Sequence, residues 1–167
     1  MNATHVHLVL NHFPIAGIIF AIPLLGFGWA RNREDFSRAG LLLVVLSGIV
    51  SIPVFLTGEP SEHIVEKLAG VSKSAIERHE DAAKVAVWLV VAAAAASLGT
   101  LMAGLRGKNI LRKTVPLTLL LCLGAAGMLA WTNNVGGRIR HPEIDTGAST
   151  SAPAKSAPAK TDGHNDD

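Results

Sequence analysis

The chain is expected to fold as an all-α integral membrane protein, an antiparallel four-helix bundle, and three observations lead there. Charged residues make up 17% of the sequence, yet they are missing from four long stretches at about 13–30, 39–57, 85–105 and 115–132. Each stretch approaches the roughly 20 apolar residues that cross a hydrocarbon layer of ~30 Å. Their apolar character is continuous rather than alternating, so they read as helices, which satisfy every backbone group internally, and not as the shorter strands of a barrel.

The first stretch is expected to be retained as a span rather than cleaved as a leader, because residues 1–12 carry no Lys or Arg and the run is long for a signal core. The second ends at Thr57-Gly58-Glu59-Pro60. In the loop that follows, Pro60 suits a first helical position, Ile64, Val65 and Leu68 give one apolar side, and Gly70 is a stop. A short helix is therefore predicted along the outer surface. Ser74-Ala75-Ile76-Glu77 has capping-box spacing, so the third helix should begin around 73–75, well before its apolar part. At 1.5 Å per residue this lifts His79 and Glu80 roughly 9 Å above the apolar boundary at Val85. The third span also holds Ala92 to Ala96, Gly99 and Ala103, small residues that let helix backbones approach in lipid. Trp29, Trp88 and Trp131 fall near span ends, where indole prefers to sit. Pro14, Pro23, Pro53 and Pro116 mark places for local kinks. Beyond the four-span domain of residues 1–145, residues 146–167 are rich in Ala, Pro, Ser and Lys, with Ser-Ala-Pro-Ala-Lys occurring twice, and are expected to be a disordered tail.

Basic residues set the expected orientation. Arg31, Arg33 and Arg38 lie at the first short loop, and Arg106, Lys108, Arg112 and Lys113 at the third, whereas the long second loop balances its lysines and arginine with acids. The positive-inside rule then puts both short loops in the cytoplasm and both termini outside. Net charge is only +2, and the arginines are explained by topology, so no nucleic-acid role is indicated. The single cysteine, Cys122, is inside the fourth span, which leaves no thiolate cluster and assigns it to packing. No serine or cysteine nucleophile is paired with a base in any local pattern, so a stand-alone enzyme is the least supported reading.

Six of the seven histidines fall on the outer side in this topology: His5, His7, His12, His63, His79 and His141. Imidazole is the commonest metal and haem ligand, which makes their convergence the central question. His12 is selected because it sits at the hydrocarbon boundary, where an ionisable side chain is costly unless it faces the bundle interior. His5 shares its helix face, whereas His7 projects elsewhere. His79 stands at a comparable height on the third helix. Glu59, Glu80 and His141 complete a set in which every outer span end carries a polar side chain. His79-Glu80 is not a zinc-protease signature, since position 83 is Ala.

His12-Phe13-Pro14-Ile15, Thr57-Gly58-Glu59-Pro60, His79-Glu80 and Gly136-Gly137-Arg138-Ile139-Arg140-His141-Pro142-Glu143, in that order, resemble the bacterial four-span membrane proteins catalogued as domain of unknown function 2231. The resemblance covers residues 5–145. It implies a small domain of the bacterial inner membrane, joined in some relatives to c-type cytochrome modules, and so points toward redox chemistry and a redox partner on the extracytoplasmic side. It also discounts His63, a position where that family more often has an acid.

Two cofactor readings follow. In one, His12 and His79 ligate a haem b while Arg138 and Arg140 meet its propionates as guanidinium forks. In the other, His12, His79, His141 and Glu59 or Glu80 bind copper, zinc or iron. A third reading makes the polar cluster a hydrogen-bonded clasp in a partner-binding or structural subunit.

Overall fold

The computed structural model describes residues 3–58, 73–105 and 108–140, and over these the chain is helical without a strand. The helices are α1 (Ala3–Leu10), α2 (His12–Ala30), α3 (Glu34–Leu56), α4 (Lys73–Gly104) and α5 (Lys108–Arg140). Four segments are long and apolar enough to cross a membrane, at His5–Ala30, Glu34–Leu56, Lys73–Gly104 and Asn109–Arg138. The first joins α1 to α2 through a turn at Asn11, whose N–H donates to the His7 carbonyl at 2.9 Å and so continues the helical direction. The third is helical from Lys73, the first residue described after 58, so Ser74 already lies within the helix. The short helix expected within 60–70, the tail, Glu59, His63 and His141 lie outside the described residues.

α2 reverses into α3 through a tight turn. Arg31 N–H donates to Phe27 O at 2.9 Å and Arg33 N–H to Gly28 O at 2.8 Å, closing the last turn of the helix. Asn32 takes the left-handed conformation at φ 54°, which asparagine tolerates better than most residues. Glu34 and Asp35 then place negative charge in the first turn of α3, complementing its dipole.

The helices form a ring in which α2 packs on α3, α3 on α4, α4 on α5, and α5 closes on α2. Size sorts the residues in a way suited to lipid. The interior holds Ile18, Leu25, Leu41 and Leu111 among small residues such as Ala21, Ser47, Ser51, Ala86, Ala93, Ser97, Thr100, Thr118 and Ala125, while Phe20, Leu46, Leu56, Trp88, Met102, Leu117 and Leu120 point outward. Lipid tails are as apolar as leucine, so large side chains gain little by turning inward, and small ones gain close packing. Gly17 faces Ser47 and Gly48 faces Ala94 so closely that an added Cβ would collide with either partner. Among the described residues, the hydroxyls of Thr100 and Thr118 form a buried interhelical hydrogen bond at 3.3 Å.

Each span buries one seam with a seven-residue repeat. In the first span it includes Pro14, Ala21 and Gly28, with Ile18 and Leu25 between them. In α4 it includes Ala86, Ala93 and Thr100, with Val90, Ser97 and Gly104. In α5 it includes Leu111, Thr118, Ala125 and Thr132, with Val115 and Cys122. A repeat of seven keeps the same face turned inward along a helix, so the seams can be extended to the ends of the bundle.

Candidate functional site

At the end formed by the start of α1, the end of α3, the start of α4 and the end of α5, the seams arrive at histidine. Counting back seven from Pro14 gives His7, and back seven from Ala86 gives His79; both are half-buried. His7 Nδ1 lies 2.9 Å from the carbonyl oxygen of Val54 in α3, with the Thr57 hydroxyl 3.4 Å from the same nitrogen. Thr57 Oγ1 itself donates to Pro53 O at 2.8 Å and to Val54 O at 3.0 Å. His79 Nδ1 lies 3.1 Å from the carbonyl oxygen of Thr132 in α5. A carbonyl only accepts, so both rings carry a proton on Nδ1, and in the neutral form of either ring Nε2 is the lone-pair nitrogen.

Glycine makes room for the His79 ring at position 136, whereas at Gly58 a Cβ would meet His7 only at an ordinary contact distance. A Cβ on Gly136 would stand 3.0 Å from Cε1 and Nδ1 of His79, and one on Gly58 would stand 3.7 Å from Cε1 of His7. His79 precedes the apolar part of its span, among Glu77, Arg78, Glu80, Asp81 and Lys84, and its imidazole is held below the ordinary histidine range. Burial is the main cause and the nearby His7 a further one, partly offset by the bond to Thr132. A neutral, oriented imidazole is the form that ligates a metal or haem iron.

The faces of the first helix are the reverse of the sequence expectation. His12 is exposed, and its Nδ1 donates back to Leu8 O of the same helical run at 3.1 Å. His5 shares that outward face, as its seven-residue spacing requires. Of the other expected ligands, Glu80 is engaged by Lys84 at 2.7 Å on its own helix. Arg138 is exposed near the end of α5; Arg140 is the last residue of that helix, and Glu59 and His141 fall outside the described residues. Among the described residues no three or more His, Cys, Asp or Glu side chains gather as a metal group.

Sequence reasoning missed His7 and undervalued Asn11. Asn11 lies one turn beyond His7 on the same seam, and its Oδ1 is buried without a hydrogen-bond partner. The signal that finds both is the phase of Pro14, Gly17, Ala21 and Gly28, small or kinking residues whose spacing marks the inner face and runs back to positions 7 and 11.

No family model matches the chain, and no curated protein or solved structure matches it. The resemblance to the four-span family rests on the motifs that carry it.

Proposed function

We propose that this is an integral membrane protein whose long-loop end holds a redox cofactor or metal ion between His7 and His79. The carrying observation is that each Nδ1 is committed to a backbone carbonyl of a neighbouring helix. That bond fixes ring orientation and raises ligand basicity, the second-shell arrangement found behind metal-bound histidine. Haem b or a transition ion such as copper, zinc or iron fits the donor type, and electron transfer to a partner on the same side of the membrane is the role such a group would serve. With the short basic loops in the cytoplasm of a bacterial inner membrane, the histidine end and both termini are extracytoplasmic. Arg138 and Arg140, at the end of α5, are on the side where propionates or an anionic partner would approach.

The clasp is a second reading with its own observation. His7 ties the first span to the second, and His79 ties the third to the fourth, without any added group. Absorbance and metal analysis of the purified full-length protein separate the two. A Soret band or stoichiometric metal, lost in both His7→Ala and His79→Ala, supports the cofactor site. Neither signal in wild-type protein refutes it and leaves the clasp.

A further inference from the structure

Asn11 distinguishes between the cofactors. It sits at the turn between α1 and α2, one helical turn from His7, with its amide oxygen buried and unpaired. A buried amide oxygen without a donor is expensive, and such a group calls for an explanation such as an ion or water. A haem iron with a histidine on each face has both axial positions filled, and an amide oxygen has no part in that arrangement. Nor are aromatic rings available to line a porphyrin: all five phenylalanines and all three tryptophans are on the outside of the bundle.

We infer that a single late first-row transition-metal ion is held by Nε2 of His7, Nε2 of His79 and Oδ1 of Asn11, with the remaining positions open to water or an incoming ligand. This rests on the reading of the histidine end as a cofactor site. Two imidazoles and a neutral carbonyl suit Zn(II) and Cu(II), with copper the tighter, whereas magnesium and calcium require more oxygen donors, chiefly carboxylates. The donors are all neutral, so the bound ion keeps its positive charge at the end of the bundle. Three protein ligands plus an open position is the pattern of a reactive rather than a closed structural site. Glu80, which would otherwise compete as a ligand, is held by Lys84.

The test is a titration of metal-stripped, full-length protein in nanodiscs with Zn(II) or Cu(II) alone, read against a competing chelator, with nitrogen couplings in the Cu(II) paramagnetic resonance spectrum. One ion per chain with two imidazole nitrogens is expected. His7→Ala and His79→Ala should each weaken binding at least 100-fold, and Asn11→Ala on the order of 10-fold or more. Asn11→Asp should bind more tightly than wild type, because a carboxylate adds charge to the donor set; general disruption of the fold cannot produce a gain. If Asn11→Ala and Asn11→Asp both leave affinity unchanged while the histidine variants lose it, the Asn11 assignment falls and the histidine site stands. A Soret band with two axial histidines overturns the metal ion and keeps the cofactor site. Absence of both metal binding and haem overturns both.

Discussion

At the scale of single residues, the phase of a helix decides which histidine matters. His7 and His12 are five positions apart in one span, about 7.5 Å along the axis, and they face different ways because five residues is about 1.4 turns. His7→Ala should therefore lower thermal stability and abolish the proposed metal binding, while His12→Ala should leave both nearly unchanged, since among the described residues His12 bonds within its own helical run. Selecting from the hydrocarbon boundary favours His12, and selecting from the spacing of Pro14, Ala21 and Gly28 favours His7. Both signals are legible in the sequence, but the second needs a helix beginning by residue 5, which nothing in residues 1–12 announces. The carbonyl partners at Val54 and Thr132 were not legible, because backbone acceptors leave no mark in residue type. His79 adds a pH dependence. Its folded pKa is lower than its unfolded one, so it contributes stability that is present above about 6.5 and lost as pH falls below that value. Thermal melting of the metal-free protein should drop on acidification through that window, and His79→Gln, which retains an N–H donor but does not titrate, should flatten the drop.

At the scale of helices, small residues set the spacing, so adding bulk at a crossing should matter more than removing the buried hydrogen bond between Thr100 and Thr118. Gly48→Leu would drive a side chain into Ala94 where even a Cβ does not fit. Overpacking of this kind costs about 1–3 kcal/mol. Thr118→Val removes the bond to Thr100 and should cost about 0.6 kcal/mol, the average for interhelical hydrogen bonds in membranes. Melting or denaturant titration in detergent checks the ranking, and equal losses would show that close packing does not dominate. The exclusion of charge made the spans legible. The size sorting was less so: the sequence showed small residues in the third span but not that glycines at 17 and 48 meet partners on other helices.

At the scale of the whole molecule, the polar end and the basic end are opposite, and both orientation and modularity follow. A reporter active only in the cytoplasm should be silent when fused after Asp167 and active when inserted in the first short loop, because arginine in short loops is retained inside. Activity at the C-terminus would invert the assigned side of the histidine site without moving its residues. Truncation after Asp145 should leave the melting temperature of the bundle within a few degrees, since the removed segment has too few apolar residues to bury. Four long apolar helices were legible from composition alone, while the placing of His7 and His79 at one end of the bundle depends on long-range packing of helices separated by more than 70 positions, which no local pattern encodes. The close approach of these two side chains that the proposed site requires is tested most directly by double-cysteine cross-linking in a Cys122→Ala background with a short bifunctional thiol reagent. The pair His7→Cys with His79→Cys should bridge within one chain, and His12→Cys with His79→Cys should not; bridging of the second pair and not the first would contradict the site.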